Sequence, residues 1–295
     1  MGGTIAFSEK RFLGDMATVA GALGSELDLE VTRTAVRSFA SSFHTGGVQF
    51  RATSRPGDRL NYRFYPRERI RSTRIALRDR LIEPSPLTEL LDEWSSAFAD
   101  ESVELCDFDP VEGLSKTWLF MGRLRPVDEV LAASRHIPEG LRELLPVFEE
   151  CGLVDVRYAA VDYAKQSLSI YFRVAGPLTP RLCSRLHSAV GLPGPSPEKI
   201  AVIVRYLREN FVFAVNFSHP LGRAVRTCIY AVGIPDSVTD HLSQRLATFL
   251  DATPCYDREV HRVVGWSSGS GDSMYQKAEK SYCGDLSGLL ESWNA

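Results

Sequence analysis

Apolar and polar residues recur with two different periods along this chain. Phe12, Met16, Val19, Ala20 and Leu23 stand at helical spacing and predict a helix over 8–29, and a second amphipathic stretch covers 32–42. The period then falls to two. Residues 47–53 and 59–65 alternate on either side of Ser54-Arg55-Pro56-Gly57-Asp58, the pattern of a β-hairpin around a tight turn. Pro66 ends the second strand, and helices over 67–81 and 86–98 follow. The unit then returns, with hairpins predicted at 103–107 with 114–121, 154–164 with 167–174, 211–217 with 224–233, and 259–268 with 273–281. Helices at 127–133, 139–150, 179–190, 197–209, 236–251 and 285–293 separate or follow them. The turns fall at Pro56-Gly57, Glu112-Gly113, Lys165-Gln166, His219 to Gly222 and Gly269 to Gly271, a period of roughly 50 to 55 residues that marks a repeated supersecondary unit.

Ten predicted strands exceed the comfortable size of a flat twisted sheet, and closure would remove its exposed edges. The expected fold is therefore α+β: a ten-stranded antiparallel β-barrel surrounded by helices, built from five ααββ repeats. A barrel of about ten strands keeps room inside for a ligand. No linker rich in Gly, Pro or Ser interrupts the chain, so residues 1–295 are read as a single domain.

Side chains alternate across a strand, so parity decides which residues share a face. One parity of every hairpin gathers cations and aromatic rings. Arg51 belongs with Asn61, Arg63 and Tyr65 in the first, and Lys116, Trp118 and Phe120 share a face in the second. Arg157 and Lys165 share a parity in the third, facing Ser169, Tyr171 and Arg173 on the other strand. Arg226, Cys228 and Tyr230 go together in the fourth, and Lys277, Glu279 and Ser281 in the fifth. The opposite parity is rich in apolar residues that could pack beneath helices.

A single cation on a strand ordinarily faces solvent, but five hairpins repeating the pattern point to a shared interior. Buried cations cost on the order of several kcal/mol each unless paired. Converging cations therefore demand an anion, and a pyrophosphate offers charge and many acceptor oxygens. Ring faces attract cations, a transient carbocation included. Such a lining suits an enzyme that ionises an allylic diphosphate beside an aromatic substrate. The alternative is a non-catalytic barrel that carries an anionic aromatic metabolite.

A net charge of -3 weighs against a nucleic-acid partner. The arginines between Arg67 and Arg80 are interrupted by Glu68 and Asp79 and flank an apolar stripe, so they read as a solvated outer helix. The six cysteines are scattered without a C-x-x-C pair, as expected of reduced thiols. Residues 1–10 hold no apolar stretch of signal-peptide length, and no run approaches the length of a membrane span. A soluble, cytoplasmic monomer is expected. An Asp-Asp-x-x-Asp cluster for magnesium is missing, and the glycines of 267–272 lack the Lys-Ser/Thr of a phosphate loop. His44, His136, His187 and His241 fall on loops or helices, where a surface place is the default.

Four blocks carry a family resemblance. They are Thr53-Ser54-Arg55-Pro56-Gly57-Asp58-Arg59-Leu60-Asn61-Tyr62-Arg63-Phe64; Asp107-Phe108-Asp109 with Lys116-Thr117-Trp118-Leu119-Phe120; Val156-Arg157-Tyr158-Ala159-Ala160-Val161-Asp162; and Val264-Gly265-Trp266-Ser267 with Lys277-Ala278-Glu279-Lys280-Ser281-Tyr282. With them the chain, from about Gly46 to Trp293, resembles the soluble aromatic prenyltransferases of the ABBA type. The nearest likeness is to the branch that prenylates 4-hydroxyphenylpyruvate in aminocoumarin biosynthesis. The resemblance implies transfer of a prenyl group from dimethylallyl or geranyl diphosphate to a carbon of a small aromatic acceptor inside the barrel.

It also implies roles. Arg51, Arg63, Lys116, Lys165, Arg173, Arg226, Tyr230 and Lys277 would hold the diphosphate, with Tyr171 as a hydroxyl donor. Arg157 and Glu279 would hold a polar group of the acceptor, and Glu279 or a bound water is the expected base for the ring proton. Phe64, Trp118, Val212, Ala214 and Ser281 would shape the aromatic slot, Ala214 and Ser281 replacing larger tyrosines of some relatives. Magnesium-dependent relatives carry Asp where this chain has Asn61, and a neutral amide beside two arginines is a poor Mg²⁺ ligand. Turnover is expected to need no metal or other cofactor.

Overall fold

The computed structural model of the chain describes residues 6–207, 209–234, 241–269 and 274–294. Five units follow one another. The first is α1 (Glu9–Leu23), α2 (Leu29–Ser38), α3 (Ala40–Thr45), β1 (Gly47–Thr53) and β2 (Asn61–Tyr65). The second is α4 (Ser72–Arg78), α5 (Pro86–Ala97), β3 (Val103–Asp109) and β4 (Gly113–Pro126). The third is α6 (Val127–Ala132), α7 (Glu139–Arg142), α8 (Leu145–Cys151), β5 (Asp155–Asp162) and β6 (Ser167–Ala175). The fourth is α9 (Pro180–Ala189), α10 (Pro197–Val204), β7 (Asn210–Ser218) and β8 (Ala224–Val232). The fifth is α11 (Gln244–Ala252), β9 (Arg262–Gly269) and β10 (Tyr275–Cys283), followed by α12 (Leu286–Asn294). Each strand pairs antiparallel with its neighbours in sequence, and β1 pairs β10 to close the ten-stranded barrel.

Several helices are shorter than their periodicity predicts, for local reasons. The helix expected over 8–29 stops at Leu23, because Gly24 turns left-handed (φ 58°) and caps the carbonyls of Ala20 and Gly21. Asp28 then starts α2 by accepting the N–H groups of Glu30 and Val31. The stretch 32–42 is divided between α2 and α3 at Phe39. Of 67–81 only Ser72–Arg78 is helical: Arg67 instead donates to the carbonyls of Thr45 and Gly284, and the buried Glu104 accepts the Ser72 N–H. Arg74, Arg78 and Arg80 are exposed there, as expected of an outer surface. The stretch 139–150 divides into α7 and α8, since Pro146 is tolerated only in the first turn of a helix. For 236–251, α11 starts after its N-cap Ser243, and 235–240 lie outside the described residues, as do 270–273 of the last predicted turn. His187 is not at the surface but buried, its Nδ1 2.8 Å from the Cys183 carbonyl.

Outward-facing strand residues make the core between barrel and helices. Phe50, Tyr62, Phe64 and Phe108 pack with Phe12, Phe39 and Phe43 beneath α1 to α3. On the opposite arc Ala159, Val161, Ile170, Phe172 and Phe213 pack with Phe148 and Leu186. Among the described residues no helix is long and apolar enough to cross a membrane.

Candidate active site

The inward parity collects the charged and aromatic residues inside the barrel. Register sets their neighbours: Arg51 pairs Asn61 and Glu279, Arg63 pairs Asp107, and Asp107 pairs Lys116. Asp107 is 1% exposed and accepts hydrogen bonds from Arg51 Nη1 at 3.1 Å, Arg63 Nη2 at 3.0 Å and Arg63 Nε. Burial pushes its carboxyl up, but Arg63 and Arg51 outweigh that and hold it at about 2. Glu279 accepts from Gln49 Nε2 and, at 3.4 Å, from Arg63 Nη1, which also donates to the Tyr65 hydroxyl. Arg51 and Arg63 thus already have carboxylate partners. The expectation that every interior cation awaits an outside anion is corrected by Asp107, which the parity argument overlooked.

Asn61 is committed as well. Its Oδ1 accepts from Arg51 Nη2 at 2.9 Å, and its Nδ2 donates to Asp109 Oδ2 at 3.4 Å. The Arg51 guanidinium takes the amide oxygen and, together with Arg63, also holds Asp107, so these oxygens are committed to cations, whereas Mg²⁺ favours free carboxylate and water oxygens.

A second group of cations is less fully paired. Lys116 Nζ donates to the Tyr171 hydroxyl at 2.9 Å and to Ser169 Oγ at 3.2 Å. Burial lowers its pKa to about 7, against the upward pull of Asp162 and Asp107. Lys277 Nζ donates to the Tyr230 hydroxyl at 3.5 Å, and both Lys277 and Arg226 lie 5.5 Å from the Tyr275 ring centre. Burial raises the Tyr275 phenol, but Lys277 and Arg226 bring it down to about 8. Lys165 is not on a strand: it stands in the β5–β6 turn, with Nζ 4.0 Å from Asp162 Oδ2. Among the described residues deep in the barrel, no carboxylate pair holds Lys116, Arg226 or Lys277, and Lys165 has Asp162 only at 4.0 Å, so these four can meet an anion more readily than Arg51 and Arg63.

Above them runs a belt of rings. Trp118 lies 4.4 Å from Tyr171, which lies 6.1 Å from Tyr230; Phe120 and Trp118 both meet Tyr158, at 5.3 and 6.2 Å. Trp118 carries the Arg63 guanidinium at 4.2 Å and the Lys116 ammonium at 4.5 Å from its ring centre. Gly265 makes room for Tyr230, since a Cβ there would stand 2.9 Å from the ring. A cavity of about 750 Å³ is lined by Trp118, Tyr158, Tyr171, Tyr230, Leu105 and Glu279, and reaches the exposed Arg173, Asn210, Glu259 and Glu291 at its mouth.

The expected site residues divide accordingly. Arg173 lines that mouth with Arg157, roughly 13 Å along β6 from Ser169, and so away from the lysine group where it was expected. Arg157 does reach the cavity, but simple alternation is not the reason. A bulge between Val156 and Tyr158 interrupts the register, while Ala159 and Val161, of the same parity, face the helices. Val212 lines the cavity opposite Tyr230, and Ala214 sits between Tyr171 and Cys228 in the interior apolar cluster. Phe64 points out of the barrel into the core beneath α2 and α3, because it alternates with the inward Arg63 and Tyr65; it shapes no slot. Ser281 is buried, but its hydroxyl accepts the His261 N–H at 2.9 Å and meets Cys255 Sγ at 3.3 Å, and it does not line the cavity.

The sequence reading missed Gln49, Asp107, Tyr158, Tyr275 and Trp293. Gln49 and Tyr275 share parity with Arg51 and Lys277 and were open to the same argument. Gly265-Trp266-Ser267-Ser268-Gly269 has the G-x-S-x-G spacing, but it runs along β9 rather than around a strand-to-helix turn, so Ser267 is no elbow nucleophile.

The family model described as aromatic prenyltransferase Orf2 matches residues 7–294. A 4-hydroxyphenylpyruvate 3-dimethylallyltransferase of Streptomyces niveus is 34% identical over 290 residues, 98% of this chain and 89% of that protein. An aromatic prenyltransferase of Arthroderma otae is 36% identical over 280 residues, 94% of this chain and 89% of that protein. In fold, the chain is similar to the 6-dimethylallyltryptophan synthase of Micromonospora olivasterospora, solved in complex with DMASPP and Trp. The TM-score is 0.62 at 15% identity, with 94% of this chain and 97% of that one covered.

Proposed function

The chain belongs to the aromatic prenyltransferase Orf2 family, and from that premise we propose its reaction: metal-independent transfer of a dimethylallyl group from its diphosphate to a carbon of a small aromatic acceptor. The observation that carries this reading is the Lys116 ammonium, buried between the Tyr171 hydroxyl and the Trp118 ring face. It joins an anion-binding group to a ring that tolerates a carbocation. The dimethylallyl donor is favoured by the name of the Streptomyces niveus relative.

Lys116, Lys165, Arg226 and Lys277, with the hydroxyls of Tyr171 and Tyr230, bind the diphosphate and take up the charge that grows as the donor C1–O bond breaks. Arg51 and Arg63 support them from behind, each held by Asp107. The bonding electron pair leaves with the diphosphate. The allylic cation lies against Trp118, Tyr171 and Tyr230, whose ring faces stabilise it and displace water. The acceptor ring, lodged in the cavity near Val212 and Tyr158, gives an electron pair from one carbon to C1. Its orientation selects that carbon. Glu279, held by Gln49 and Arg63 at the cavity wall, then takes the ring proton. Arg157 and Arg173 at the mouth suit an anionic substituent on the acceptor.

Six unpaired cysteines fit a cytoplasmic setting, and a closed barrel leaves no sheet edge to pair with another copy, as suits a monomer. Incubation with dimethylallyl diphosphate and a panel of aromatic acids, read by mass spectrometry, tests the reaction. An acceptor heavier by one five-carbon prenyl unit is expected. Tight binding of aromatics with no change of mass would favour a carrier.

A further inference from the structure

We propose that Trp293 is a positioning residue that fastens α12 over the acceptor end of the barrel, and thereby sets the partition between prenyl transfer and donor hydrolysis. The inference rests on the reaction proposed above.

Helix α12 is part of the cavity rather than an outer strut. Leu286 and Leu289 are 0% and 3% exposed, inside the cluster that holds Leu105, Trp118 and Phe120. Ser287, Leu290 and Glu291 belong to the cavity wall. At nine residues the helix is too short to persist by itself in water, so its place depends on what fastens it. Leu286 anchors one end against the bare Cα of Gly47, where an added Cβ would stand 3.0 Å from Leu286 Cδ1.

Trp293 fastens the other end. Its indole stacks on Phe120 with centroids 4.6 Å apart and planes inclined by 14°, and it meets Tyr65 at 6.0 Å. Its carbonyl accepts from Arg157 Nη2 at 2.8 Å, while the Arg157 guanidinium lies 4.6 Å from the Phe120 ring centre. A cation at the C-terminal end of a helix also suits the helix dipole. Trp293 is half-buried and does not line the cavity, so it acts through Phe120, Arg157 and the docking of Leu290.

The consequence lies in the fate of the allylic cation. Once the donor C1–O bond has broken, C1 accepts an electron pair either from the acceptor ring carbon or from a water oxygen. The first route ends with loss of the ring proton. The second ends with loss of a proton from the oxonium and yields dimethylallyl alcohol with free diphosphate. Undocking α12 removes one wall of the cavity and lets water reach C1. A single aromatic stack shifts a docked-to-open ratio by roughly 2- to 10-fold.

The test measures prenylated acceptor and dimethylallyl alcohol in the same reaction, with an acceptor the wild-type chain turns over. Trp293→Ala is expected to lower the ratio of transfer to hydrolysis by about 2- to 10-fold, and Trp293→Phe, which keeps a ring on Phe120, to stay near wild type. If both products fall together in Trp293→Ala with the ratio unchanged, Trp293 serves stability alone and the proposal is overturned. The same holds if Trp293→Phe falls as far as Trp293→Ala. Should Trp293→Ala not fold, Trp293→Leu, which keeps apolar volume without the stack, reads the same ratio. A wild-type chain that makes neither product would overturn the reaction itself, and this inference with it.

Discussion

The Lys116 ammonium lies 4.5 Å from the centre of the Trp118 ring. Two residues apart on β4, they face the same way and bring the two halves of the chemistry together. The lysine answers the charge that departs with the diphosphate, and the indole answers the charge left on carbon.

Lys116→Ala should lower kcat by about 10²- to 10³-fold, the usual cost of one preorganised charge-stabilising donor. Thermal melting should show the fold intact, because Ser169 retains its 2.7 Å bond from Asn216 Nδ2. A rate near wild type would remove Lys116 from the mechanism.

The pH dependence follows from the same side chain. Burial brings Lys116 from 10.5 to about 7, so above that pH the empty site holds a neutral amine and the diphosphate must bind together with a proton. The KM for donor should rise as pH increases beyond about 7, by at most about tenfold per unit. Lys116→Arg, which does not titrate in this range, should flatten the profile. The sign for stability is opposite: between about 7 and 10.5 the unfolded chain binds the extra proton, so this lysine destabilises the fold less as pH rises through that window. A donor KM indifferent to pH would contradict the assignment.

Chelation should leave turnover unchanged. Arg51 holds the Asn61 amide oxygen at 2.9 Å, where a magnesium ligand would have to stand. Loss of activity in EDTA, restored by Mg²⁺, would refute metal independence. Asn61→Asp is the variant expected to acquire a response to Mg²⁺.

Gly265→Ala should act through Tyr230. The new Cβ would stand 2.9 Å from Tyr230 Cδ1 and Cε1 and 3.1 Å from Cys228 Sγ, and such overpacking costs about 1–3 kcal/mol. Moving the ring breaks the 3.5 Å contact of its hydroxyl with Lys277. The donor KM should rise, and a donor KM equal to that of the wild type would count against this role of Tyr230.

Phe64→Ala should cost about 3–5 kcal/mol of stability and leave the site of prenylation on the acceptor unchanged, since Phe64 packs on Phe39, Phe43 and Phe108 outside the barrel. A changed product pattern would bring it back into the acceptor slot.

Whatever depends on neighbours in sequence is legible in the chain itself. Alternation is a local property of extended backbone, so the five hairpins and the shared faces of Lys116 with Trp118, Ser169 with Tyr171, Arg226 with Tyr230, and Lys277 with Glu279 could be read directly. Helix ends were less legible, because Gly24, Asp28 and Pro146 stop or restart helices through capping and sterics that outweigh periodicity. Arg157 shows where parity itself fails: one bulge, invisible in the string of residues, turns a position from one face to the other.

By itself, then, the sequence determined the repeated unit, the polarity of the strand faces wherever no bulge interrupts them, and the family. Only the tertiary structure decided which charges meet. Asp107 neutralises Arg51 and Arg63 because three strands align in one register, and Trp293 reaches Phe120 across more than half the chain. Electrostatic pairing and ring stacking act over a few ångströms, and the distance between two side chains is fixed by barrel closure and strand stagger, which no local pattern encodes.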